Sequence, residues 1–132
     1  MKKKVETAYG VIGLGRFGEA LAMMLAQSGH EVIAVDKDEK KVKEMRQYTD
    51  CAFVADNLSS DTLKEIGIQN CDVVIICIGE KVDVSVLTTM SVIEMGVPRV
   101  IAKALSPEQG AVLSKLGAEV VYPERSEERR VG

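Results

Sequence analysis

Val11-Ile12-Gly13-Leu14-Gly15-Arg16-Phe17-Gly18 carries the reading of this chain. Apolar residues lead into a G-x-G-x-x-G turn, and a run with helical spacing leads out of it. Gly13 permits the tight turn, Gly15 has no Cβ to collide with a phosphate, and Gly18 lets the helix lie close to the strand. The unpaired N–H groups and the dipole of that helix start favour an anion. Glycine-rich turns are common, so context decides. Here a strand precedes and a helix follows. Asp36 then closes the next hydrophobic run, Glu31-Val32-Ile33-Ala34-Val35-Asp36, about 20 residues on, where a ribose-binding carboxylate is expected.

Working outward, Val- and Ile-rich runs recur at 8–12, 31–35, 51–55, 72–78, 99–102 and 119–122. They lack polar alternation, as strands buried on both faces of a parallel sheet do. Between them, 17–27, 39–48, 60–66, 84–95 and 108–116 carry helical stripes such as Phe17, Leu21, Met24 and Leu25. Gly29, Gly67, Gly96 and Gly117 stand just past four of these helices, where a left-handed residue ends the helix. Strands joined by helices predict an α/β fold: a Rossmann-like, doubly wound parallel six-stranded sheet in the order 3-2-1-4-5-6. Residues 1–122 are expected to form one nucleotide-binding domain. Residues 123–132 lose the apolar pattern and read as a solvated tail, or as the first turn of a helix cut short.

Bulk properties narrow the function classes. The chain has 132 residues, 46% of them hydrophobic, and a net charge of −3. That size suits one domain, and that charge offers nothing to nucleic acid. No apolar stretch approaches the roughly 18 residues that span a bilayer. Lys2, Lys3 and Lys4 precede no apolar signal-peptide core. Cys51, Cys71 and Cys77 lack the spacing of a zinc site or disulfide framework, so a reducing cytoplasm is the expected compartment.

In such a sheet the ligand sits off the carboxyl ends of the strands. The residues expected there are Gly13, Leu14, Gly15, Arg16, Phe17 and Gly18 after the first strand, and Asp36 and Lys37 after the second. Asp56 and Asn57 follow the third, Ile78 ends the fourth with Gly79 and Glu80 after it, Lys103 follows the fifth and Glu124 the sixth. Each has a plainer alternative. Asp36 is a ribose acceptor that disfavours a 2′-phosphate, or a loop acid. Asp56-Asn57 contacts an adenine edge or forms a turn pair. Arg16 meets a phosphate or is merely solvated. Lys103 reaches the ligand or snorkels to water. Glu124 meets a cation or a neighbouring subunit, or is a surface acid. His30, in a helix-to-strand turn on the opposite edge, reads as structural. The sequence supplies no acid–base residue beside a hydride-transfer position, no Walker lysine motif, no Ser-His-Asp set and no paired metal ligands. It reads as a nucleotide binder rather than an enzyme. The rival is the cofactor half of an NAD-dependent dehydrogenase separated from its catalytic domain, and a third reading is a redox sensor of NADH against NAD.

Several longer segments carry a family likeness: Val-Ile-Gly-Leu-Gly-Arg-Phe-Gly, Gly-His-Glu-Val-Ile-Ala-Val-Asp, Ala-Asp-Asn after the third strand, Ile-Ala-Lys-Ala at 101–104 and Leu-Gly-Ala-Glu-Val-Val-Tyr-Pro-Glu at 116–124. Together they resemble the RCK (KTN, TrkA-N) domains, cytosolic regulatory domains of potassium channels and transporters of the Ktr/Trk type. The resemblance implies ATP, ADP or NAD(H) as ligand, with Gly13, Gly15, Arg16 and Gly18 at the phosphates, Asp36 at the ribose and Asp56-Asn57 at the base. It implies a divalent cation beside the nucleotide, held through Glu124. It implies homodimers assembling into a ring beneath an integral-membrane potassium-translocating subunit, hence a cytoplasmic location at the membrane. Family members usually continue into a crossover helix and a C-terminal subdomain, which this sequence does not contain.

Overall fold

Strand and helix alternate throughout the computed structural model, which describes residues 7–79 and 81–123. In chain order the elements are β1 (Ala8–Ile12), α1 (Arg16–Gln27), β2 (Glu31–Asp36), α2 (Glu39–Met45), β3 (Ala52–Val54) and α3 (Ser60–Ile66). A 3-10 turn (Ile68–Asn70) leads to β4 (Val73–Ile76), α4 (Val82–Glu94), β5 (Arg99–Lys103), α5 (Pro107–Leu116) and β6 (Glu119–Val121). The sheet runs β3-β2-β1-β4-β5-β6 with every pair parallel, the expected order.

The absence of polar alternation has its cause in two cores. Val11, Val32, Ala34, Val73 and Ile75 face α1 and α2, where they meet Ala22, Val42 and Met45. Ile12, Val35, Val74 and Ile76 point the other way, toward Leu63 of α3, Val92 of α4 and Leu113 of α5. Successive strand residues thus enter opposite cores, and no face is left to water. Polar N-caps start three helices: Asp38, Ser59 and Ser106 accept from the N–H of Lys40, Thr62 and Gln109. The four helix-ending glycines all take positive φ, from 90° to 110°. No helix among the described residues is long and apolar enough to cross a membrane.

Several boundaries differ from the expected ones. The fourth strand stops at Ile76, not 78. Cys77 N–H still donates to Ile12 O at 2.7 Å, but β1 itself ends there, so the chain beyond has no ladder partner and peels away. The second helix stops at Met45, not 48, because the N–H groups of Gln47 and Tyr48 bond three residues back instead of four. The Arg46 guanidinium meanwhile donates to Ala52 O at 3.1 and 3.3 Å, tying that turn to β3. The fourth helix begins two residues early, at Val82.

Candidate functional site

A cavity of about 750 Å³ opens off the carboxyl ends of β1, β2 and β4. The chain leaves β1 toward β2 on one side, while β4 flanks β1 on the other. This is the switch point at which open α/β sheets receive ligands. Its volume falls within the range of small-molecule sites.

The floor is the glycine loop. Gly13 has φ +102°, and its N–H donates to Val35 O at 2.8 Å. A Cβ there would stand 2.8 Å from Cys77 O. Leu14 N–H donates to Asp36 Oδ2 at 2.6 Å, and Asp38 N–H to Asp36 Oδ1 at 2.8 Å. Asp36 therefore ties the loop to the start of α2. Each carboxylate oxygen keeps a further acceptor position for a hydroxyl donor. Gly15 is the N-cap of α1 and has nothing within 4 Å of where its Cβ would stand. No side chain caps α1, and its first N–H groups have no intrahelical acceptor.

Asp56 and Asn57 line the cavity beyond β3. The Asn57 side-chain oxygen accepts from Ser59 N–H at 3.1 Å and from the Thr62 hydroxyl at 2.9 Å. Asn57 is thus a turn residue and a cavity residue at once, and its amide N–H donors make no hydrogen bond among the described residues.

The opposite wall carries Ile78, Gly79, Lys81 and Lys103. Cys77 lies beneath it, and burial pushes its thiol up to about 12 while the Lys103 ammonium pulls it slightly down. Burial, with help from Asp72, likewise raises the Cys71 thiol to about 11. Both thiols stay neutral in the folded chain well above pH 9, the value they regain on unfolding. Their stabilising contribution is full below pH 9 and is lost as pH rises toward 11–12. Urea midpoints should therefore fall between pH 9 and 11, and Cys77→Ala should remove up to about 1.4 kcal/mol per pH unit of that slope. An unchanged slope in Cys77→Ala would refute its share.

Of the expected site residues, Gly13, Leu14, Gly15, Asp36, Lys37, Asp56, Asn57, Ile78, Gly79 and Lys103 meet around this one cavity. Arg16, Phe17 and Gly18 do not line it. Arg16 is exposed at the start of α1, Phe17 packs into the core beneath α1, and Gly18 is buried against the glycine loop. Glu80, and Glu124 with the cation assigned to it, lie outside the described residues. Among the described residues no group of three or more His, Cys, Asp or Glu could hold a metal. Sequence reading missed Lys41, Lys81, Leu58 and Val84. Lys41 was findable: it lies in the first turn of α2, four residues after Lys37. His30, away from this cavity, packs edge-on against Tyr9 with ring centroids 5.1 Å apart.

The family model of the TrkA-N domain matches residues 9–123. The chain belongs to the TrkA-N domain family. This TrkA-N domain is 41% identical over 132 residues to the Ktr system potassium uptake protein C of Bacillus subtilis, covering 99% of the chain and 58% of that protein. It is 40% identical over 124 residues to the Ktr system potassium uptake protein A of Vibrio alginolyticus, covering 93% and 56%. The chain thus spans little more than half the length of these curated relatives. Among solved structures, the TrkA-N domain of the inner membrane protein ybaL from Escherichia coli superposes with a TM-score of 0.79 at 19% identity, covering 98% of this chain and 96% of that one. The GsuK channel bound to NAD superposes with a TM-score of 0.75 at 23% identity, covering 92% and 22%. At these identities the two structures establish the shared fold.

Proposed function

We propose that this TrkA-N domain is a cytosolic nucleotide-binding regulator of potassium uptake, acting by ligand-dependent shape rather than by catalysis. The observation that carries the reading is the cavity itself. An uncapped helix start, a side-chain-free Gly15 and the Asp36 carboxylate converge on one space large enough for a nucleotide. The 41% identity to a Ktr potassium uptake protein supplies the process. In this reading the phosphates lie over Gly15, the ribose hydroxyls meet Asp36 and the base lies toward Asp56 and Asn57. The ligand is ATP, ADP or NAD(H), and Glu124 helps hold a divalent cation beside it. Copies of the domain pair and assemble into a ring beneath a membrane potassium-translocating subunit. The ligand shifts the ring between shapes only by its differential affinity for them, and about 1.4 kcal/mol of difference changes their ratio tenfold.

Titration calorimetry of the 132-residue chain with ATP, ADP, NAD and NADH, with and without magnesium, tests this. Saturable one-site binding of at least one adenine nucleotide, lost in Asp36→Ala, is expected. No binding of any of the four would overturn the reading.

A further inference from the structure

Ser106-Pro107-Glu108-Gln109 opens α5 with the spacing of a capping box, in which an N-cap Ser and a Gln three residues on serve each other's backbone N–H. Half of the box forms: Gln109 N–H donates to Ser106 Oγ at 3.1 Å. The other half does not. Gln109 Oε1 reaches past Ser106 and accepts from Leu105 N–H at 2.9 Å. Its Nε2 donates to Ser85 Oγ on α4 at 3.4 Å, a long hydrogen bond. Leu105 N–H can only donate, so chemistry fixes which end of the amide faces which partner. Glutamine is mostly a surface residue, yet Gln109 is 3% exposed and Ser85 is fully buried. The amide thus works inside the fold, where it joins the exit of β5 and the start of α5 to α4.

Gln109, Ser85 and Leu105 do not line the cavity. Ser85 follows Val84, however, and Leu105 stands two residues after Lys103, and both of those do. The two walls are anchored differently. β5 lies within the sheet, and beyond it Ala104 N–H still donates to Val121 O at 2.9 Å. The start of α4 has no such tie. β4 ends at Ile76, the chain beyond Cys77 has no ladder partner, and no side chain caps the helix at Lys81. Among the described residues, the bond from Gln109 is the one that fastens the first turn of α4 to the β5 side. Gln109 is itself held from behind. A Cβ on Gly110 would fall on the Tyr122 hydroxyl, so Tyr122, after β6, rests directly on α5 at that point.

We propose that Gln109 is a positioning residue of the nucleotide cavity: its buried amide sets the spacing between the α4 wall and the β5 wall, and so the ligand affinity, without touching the ligand. This inference rests on the nucleotide reading above. Groups that line a site keep their geometry only when what stands behind them is locked. Without the amide, Leu105 N–H and the Ser85 hydroxyl lose these partners, and a buried hydroxyl left unpaired is costly. Water enters between the two elements or the walls shift, and Val84 and Lys103 no longer hold their relative places. Loss of the Ser85 bond alone leaves Leu105 fastened, so its effect is smaller.

The test is calorimetric titration of ATP, ADP, NAD and NADH into the 132-residue chain. Wild type is compared with Gln109→Met, Ser85→Ala, the Ser85→Ala/Gln109→Met double variant and Leu113→Ala. Gln109→Met keeps the length of the side chain without its hydrogen bonds. Leu113→Ala controls for lost stability, because Leu113 lies one turn further along α5 and packs wholly in the core. Thermal unfolding sets a temperature at which the variants compared are folded. Gln109→Met should weaken nucleotide binding about tenfold and Ser85→Ala about threefold, and Ser85→Ala should add nothing in the Gln109→Met background. Leu113→Ala should lose at least as much stability yet change affinity less than about twofold. Wild-type affinity in Gln109→Met overturns the proposal. So does an equal loss in Leu113→Ala, or a Ser85→Ala loss that persists undiminished in the double variant. If Gln109→Met does not fold, Ser85→Ala against Leu113→Ala decides by the same comparison. Wild type that binds none of the four nucleotides fails differently: it removes the nucleotide reading, and the positioning role with it.

Discussion

Gly18→Ala will destabilise this domain by about 3 kcal/mol, a large fraction of what a domain of this size has to lose. A Cβ on Gly18 would fall on the carbonyl oxygen of Gly13, well inside contact distance, and 3.2 Å from the Cys77 Cβ. Neither neighbour can swing aside. The Gly13 carbonyl belongs to a loop whose own N–H is bonded to Val35 O, and Gly13 already takes a φ that other residues rarely adopt. Cys77 is buried, with its N–H bonded to Ile12 O. Relief would require α1 to lift from the sheet, opening the contacts of Ala22, Leu21 and Leu25 with the core on that face. The expected result is a urea midpoint lower by about 1 M or more with little change in slope. A midpoint within experimental error of wild type would mean that the loop relaxes freely, and the close-packing account of this glycine would be wrong.

The same contact explains why so much of the fold could be read from residues alone. The glycine spacing and the Val/Ile runs are imposed by sterics and by burial on both sheet faces, which leave few residue types able to serve. Strand order follows from the alternation of strands and helices and from the position of the glycine loop in the first crossover. What was not legible depended on neighbours distant in sequence. Whether Cys77 and Ile78 extend β4 is decided by where β1 ends, and β1 ends at Ile12 because Gly13 must turn. The early start of α4 puts Lys81 at an N-cap on the cavity rim rather than in a loop. Arg16, adjacent to Gly15, opens α1 as an exposed residue outside the cavity lining, a placement that depends on where the helix starts.

A division of labour among the three motif glycines follows, and Gly15 is the member whose substitution separates binding from folding. Its φ of −71° suits any L-residue, and no atom lies within 4 Å of its Cβ position. Gly15→Val should leave the unfolding free energy within about 0.5 kcal/mol of wild type, as substitutions free of steric conflict usually do. The space that the valine methyl groups would enter is the mouth of the cavity over the α1 N-terminus, where the proposed phosphates lie. A phosphate displaced from those N–H groups loses both its hydrogen bonds and the favourable dipole. Affinity for the nucleotide should drop about 100-fold, roughly 2.7 kcal/mol. Adenosine, which carries no phosphate, should lose far less. Calorimetry on wild type and Gly15→Val with ATP and adenosine decides it. Equal losses for the two ligands would place the phosphates elsewhere, and undiminished ATP affinity in a folded Gly15→Val would remove this loop from the binding site altogether.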